Sequence, residues 1–65
     1  MSALEQLQEK HGLAMRPAEV ARVLHCSPDH IRKMCQRGEI KASHMGARWI
    51  IPTIEVAAII DGVTA

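Results

Sequence analysis

Residues 27–38 read SPDHIRKMCQRG, and this stretch carries the start, the stop and both faces of a helix. Ser27 offers a hydroxyl to the first free amides, Pro28 suits the first helical position, and Gly38 supplies the left-handed residue at which helices commonly stop. With Arg32 set at zero and each residue advancing ~100°, Ile31, Met34 and Cys35 fall at roughly 260°, 200° and 300°. They form one apolar stripe. On the same wheel Gln36, Asp29 and Lys33 fall at roughly 40°, 60° and 100°, with Arg32 and Arg37 beside them, so the other face is long-chained and mostly cationic. A solvated surface helix shows the same split. The neighbours therefore decide.

Upstream, residues 15–25 (MRPAEVARVLH) predict a helix from Pro17, with Val20, Val23 and Leu24 at helical spacing and Arg16, Glu19 and Arg22 facing outward. Only Cys26 and Ser27 separate it from the next helix, which leaves room for nothing but a sharp turn between two packed helices: a helix-turn-helix. Ala21 provides the small side chain that lets them approach. Further back, SALE at residues 2–5 is a capping box in which Ser2 bonds the amide of Glu5 and Glu5 reaches back to Ser2. A short helix follows, with Leu4 and Leu7 on one face and Gly12 as its stop, Leu13 folding back as the apolar partner of that cap.

Downstream of Glu39 the period changes to two. Residues 40–44 and 48–51 flank Met45-Gly46-Ala47 and predict a β-hairpin, ended by Pro52, which has no amide to donate. Residues 53–61 predict a last helix with Val56, Ile59 and Ile60 on one face and Gly62 as its stop. The tail, 63–65, carries no signal. The predicted fold is thus mainly α with a small β-hairpin, a winged helix-turn-helix over residues 15–62 preceded by a short helix and connection over residues 1–14.

A chain of 65 residues is one domain with a thin core. Large catalytic clefts are not expected, and the sequence holds no Gly-rich phosphate loop and no paired carboxylates near a nucleophile, so an enzyme is not expected either. Trp49 is the one aromatic residue and is expected to anchor the core; if buried, its replacement by Ala costs about 3–5 kcal/mol. The net charge is only +1, but it is unevenly spread. Residues 27–48 hold Arg32, Lys33, Arg37, Lys41 and Arg48 against Asp29 and Glu39, while residues 49–65 hold only Glu55 and Asp61. A basic middle third beside neutral or acidic flanks is the footprint of a phosphate-facing surface.

Cys26 and Cys35 do not make a disulfide framework, and no secretory signal or membrane-length apolar run is seen, so a cytoplasmic location with reduced thiols and no membrane contact is expected. Cys26, His30 and Cys35 are close in sequence but lack the paired Cys-x-x-Cys spacing of structural zinc, and Cys35 lies on the apolar stripe, where a thiol is ordinary. No metal or cofactor is expected. His11, His25 and His44 read as surface residues, His44 meeting phosphate when protonated.

The exposed face of the second helix carries the residue types of a major-groove reader. Arg32 and Lys33 can donate to guanine O6 and N7 or to phosphate, Gln36 can pair with adenine, and Asp29 can accept from cytosine N4. Asp29 also sits one turn before Lys33, so an i,i+4 ion pair with no base contact is the alternative there. Arg37, Lys41 and Arg48 are placed for phosphate, which positions without specifying.

At this point the chain resembles a family. Residues 16–60, RPAEVARVLHCSPDHIRKMCQRGEIKASHMGARWIIPTIEVAAII, look like the excisionase-type helix-turn-helix domain, related to the MerR DNA-binding domain. The marks are AEVA in the first helix, SPDHIRK opening the second, RGEIKA at the hairpin, GARW in the wing and IP before the last helix. The resemblance implies a small phage or plasmid protein that binds repeated sites in double-stranded DNA and bends it, helping a phage integrase remove a prophage. It places the second helix in the major groove, with Pro28 at its start and Asp29, His30, Arg32 and Lys33 near the bases. The hairpin tip, near Gly46 and Arg48, goes to the minor groove or flanking phosphates. The same fold serves transcriptional regulators, and an adaptor that kept the fold without the DNA contacts is a third class. Two departures stand out. The second wing strand has Ala47 and Ile50 where the family usually carries basic residues, and the last helix opens with Ile54 where acidic residues are common. Ile50 and Ile54 are then either scattered exposed apolar residues or a contact with a neighbouring copy, head to tail along DNA.

Overall fold

The computed structural model describes residues 2–64, residues 63 and 64 by their backbone alone. In chain order the elements are α1 (Ala3–His11), β1 (Ala14–Met15), α2 (Pro17–Leu24), α3 (Pro28–Gln36), β2 (Ser43–Met45), β3 (Arg48–Pro52) and α4 (Thr53–Thr64). The strands form one antiparallel sheet in the order β1-β3-β2. This is the winged helix-turn-helix that the sequence predicts, with one more strand.

Each helix begins where a local group satisfies its free amides. Ser2 Oγ accepts from the Glu5 amide at 3.1 Å, and its hydroxyl, rather than its amide, meets the Glu5 carboxylate at 3.2 Å. At α2 the Arg16 amide donates to Glu19 Oε1 at 3.0 Å, with Pro17 at the first helical position. At α3 Ser27 Oγ accepts from the His30 amide at 3.1 Å. The stop of α3 is a Schellman motif: Gly38 has φ 79°, its amide reaches the Cys35 carbonyl at 3.1 Å, and the Glu39 amide reaches that of Met34 at 2.9 Å. The turn between α2 and α3 is made by His25, left-handed at φ 59°, after which the Cys26 amide closes on the Ala21 carbonyl at 2.9 Å. Nothing in the sequence marks His25 for that conformation.

The core collects Leu7, Met15, Val20, Ala21, Ile31, Cys35, Ile40, Ile51, Val56 and Ala57. α2 packs on α3, and α1 packs on α4, so the N-terminal helix is built into the domain. Met15 pairs with Ile51 and Ala14 with Pro52; this strand was not expected, because two residues are too few to show a period. Thr53, fully buried, ties the same corner together, its amide donating to the Leu13 carbonyl at 2.9 Å and its hydroxyl to the Gly12 carbonyl at 2.8 Å.

Five expectations are corrected. Leu13 does not fold back on its cap; it is 78% exposed, because its carbonyl is committed to Thr53 and the chain is already entering the sheet. The first wing strand starts at Ser43 and not at Ile40, because Ile40 is buried in the core directly after α3 stops and the chain must come out again before it can pair. Gly62 does not end α4, which continues to Thr64; Gly62 is not among the glycines with positive φ. Trp49 is half-buried and no core anchor. It shares the inner face of β3 with Ile51, which has no exposure, but lies two residues nearer the hairpin tip, where the helices no longer cover the sheet; it stacks on His44 at 4.3 Å and 9°. His11 and Glu19 do not both face solvent: His11 Nδ1 lies 2.8 Å from Glu19 Oε2, with the His11 side chain only 13% exposed, because α1 turns back beside α2.

Candidate nucleic-acid interface

α3 divides as the wheel predicts. Ile31 and Cys35 are buried and Met34 half-buried, while Pro28, Asp29, His30, Arg32, Lys33, Gln36 and Arg37 are all exposed. Burial pushes the Cys35 thiol above its ordinary range, which keeps it protonated and apolar in the core. On the open face Asp29 Oδ2 lies 3.3 Å from Lys33 Nζ and Asp29 Oδ1 lies 3.7 Å from Arg32. The i,i+4 alternative for Asp29 is therefore realised in the free chain. Arg37 pairs with Glu39 just past the end of the helix.

The wing is short. Ser43 pairs with Ile50, His44 with Trp49 and Met45 with Arg48, leaving Gly46 and Ala47 as a two-residue loop. Gly46, at φ 62°, takes the first loop position, where a type II′ turn requires a positive φ. Lys41, His44, Gly46 and Arg48 are exposed, and Met45 stands 66% exposed at the tip. Ile54 is 59% exposed, as expected, but Ile50 is half-buried; opposite Ser43 in the middle strand, it is partly covered by its neighbours.

The structure brings Arg32 of α3 and Arg48 of the wing to one recess of about 160 Å³, together with Arg16, Pro17, Ala47 and Trp49. Arg16 is not expected at this recess from the sequence, where it reads only as the outward-facing residue before a helix. Its signal was its position: the residue before Pro17 sits at the N-terminus of α2, and in a helix-turn-helix the second helix passes close by. Among the described residues no group of three His, Cys, Asp or Glu side chains is placed to hold a metal ion, and no helix is long and apolar enough to cross a membrane.

A cationic outer helix, packed through a sharp turn on the helix before it and flanked by a β wing, defines a winged helix-turn-helix domain. The family model of the helix-turn-helix domain matches residues 14–62, and the chain belongs to that family, whose members bind DNA and include excisionase-like proteins. No curated protein and no solved structure matches the chain.

Proposed function

We propose that the chain is a DNA-binding and DNA-bending accessory factor of the excisionase kind. It binds repeated sites in the bacterial cytoplasm through α3 and the wing, lines up neighbouring copies, and turns a phage integrase toward excision. One observation carries the DNA-reading part: from Asp29 to Arg37 every side chain able to read or neutralise DNA is exposed, while Ile31 and Cys35 hold the helix to the core. The excisionase part is supported by the sequence marks in residues 16–60 and by membership of a family that includes such proteins.

Asp29, His30, Arg32, Lys33 and Gln36 are the candidate base readers, with Pro28 at the helix start. Arg37, Lys41, His44, Gly46 and Arg48 are the candidate backbone contacts. Lys33→Ala lowers affinity for the specific site by about 1–3 kcal/mol relative to scrambled DNA if Lys33 touches a base, and weakens both alike if it touches phosphate alone. Gel shifts on the two duplexes measure this, and an unchanged affinity on both removes α3 from the groove. Integrase-mediated excision measured with and without the protein tests the biological part. A protein acting only as a repressor leaves the direction of recombination unchanged.

A further inference from the structure

We propose that the recess between the start of α2, the outer face of α3 and the wing is a phosphate clamp, in which Arg16, Arg32 and Arg48 together hold one phosphate group of the duplex backbone. The inference rests on the DNA-binding reading above, adds Arg16 to its contacts and moves Arg32 from the bases to the phosphate.

The three arginines come from three different elements, α2's entry, α3 and β3, yet line the same recess, whose remaining walls are Pro17, Ala47 and Trp49. No acidic residue lines it. The chain has eight Lys and Arg residues and a net charge of only +1, so three cations at one small recess is a concentration that composition does not require. Like charges gathered at one recess repel, and of the three arginines Arg16 has the nearby Glu19 carboxylate and Arg32 the carboxylate of Asp29 to offset this, while Arg48 has none among the described residues. A bound anion reverses the repulsion.

The partners of these side chains point the same way. Neither Arg16 nor Arg48 makes an ion pair among the described residues, and Arg32 has only the 3.7 Å approach to Asp29. The cations Lys33 and Arg37, by contrast, have carboxylates at hand. Planar guanidinium forks match phosphate oxygens two at a time. The volume, about 160 Å³, is large enough for a single phosphate. Trp49 forms an apolar wall of the recess. With α3 in a groove, the flanking backbone is the phosphate source that reaches this side of the helix, and a contact there fixes register without reading sequence.

The test compares Arg16→Gln with Arg22→Gln, which removes the same charge from the exposed side of α2 facing a different surface, lined by Lys10, His11, Glu19, Val23 and His25. Arg16→Gln keeps the backbone amide that Glu19 accepts, so α2 keeps its start; thermal melting checks that both variants fold. Binding of each to a short mixed-sequence duplex is measured across about 50–200 mM salt. Arg16→Gln is expected to weaken binding on the order of fivefold on every sequence and to flatten the salt slope, by less than the ~0.9 of a whole phosphate contact because Arg32 and Arg48 stay on the same phosphate, while Arg22→Gln leaves the slope as in the unaltered chain. Inorganic phosphate alone, at constant ionic strength, should compete with the duplex for the unaltered chain and more weakly for Arg16→Gln. An unchanged slope in Arg16→Gln, or equal flattening in both variants, overturns the clamp while leaving the DNA-binding reading intact. An unaltered chain that binds no duplex overturns both.

Discussion

Asp29 is where the sequence left two readings, and the structure gives them an order. In the free chain its carboxylate is shared by Lys33 and Arg32, exposed pairs of the kind worth about 0–1 kcal/mol each, so a base edge offering better donors or acceptors can displace them cheaply. The faces of α3 were legible because helical spacing alone sorts Ile31 from Lys33. Arg16, His11 and His25 were not, because their roles depend on which element passes beside them. Glu19 belongs with these. Its carboxyl is held below its usual 4.5 first by the Arg16 amide and then by the His11 side chain, an effect that outweighs burial. A carboxyl depressed in the folded state adds stability above its unfolded value and loses it as pH falls through the folded one. Glu19→Ala should therefore cost about 1 kcal/mol near neutral pH, kept modest because the side chain is 39% exposed. The gap to the unaltered chain should close as pH drops below about 4.5. Urea unfolding of both proteins across that range measures it, and a gap independent of pH removes the charge from the account.

Elements with two marked ends were legible, and those defined by a partner were not. α3 is bracketed by Ser27 and Gly38, and both work as caps. β1 exists only because Ile51 and Pro52 stand opposite it, and the start of β2 is delayed by the burial of Ile40, which alternation cannot foresee. Ser27→Ala leaves the His30 amide without its 3.1 Å acceptor and should cost about 1 kcal/mol. Ser27→Asp should restore the cap and add a helix-dipole benefit, yet weaken DNA binding by placing an anion at the groove end of α3. Chemical denaturation and gel shifts on the same pair of variants separate cap from contact. If Ser27→Asp also gained affinity for DNA, the start of α3 would have to lie away from the duplex.

For the whole molecule, the place of Trp49 redistributes the stability. Ile51 is fully buried in the middle strand, so Ile51→Ala should cost about 2–5 kcal/mol, a large share of what a small domain has. Half-burial of the indole limits Trp49→Ala to roughly 2 kcal/mol; thermal melts in which Trp49→Ala is the more damaging would return the ring to the core. What the domain shows on its outside matters for assembly in the same way. Ile54, at the start of α4, and Leu13, whose carbonyl accepts from the residue before Ile54, are the two most exposed large apolar residues besides Met45 at the wing tip. They lie together at the end of the sheet that β1 closes. A contact joining that corner of one copy to a different surface of the next is heterologous, and it repeats along DNA without a dyad. Ile54→Glu, at an exposed position, should leave the melting temperature and single-site affinity nearly unchanged and lower the cooperativity of binding to adjacent sites. Ile50, being half-buried, is the worse position to alter, because a charge there also disturbs the wing. Cooperativity that survives Ile54→Glu and Leu13→Glu together would remove this corner as a contact between copies.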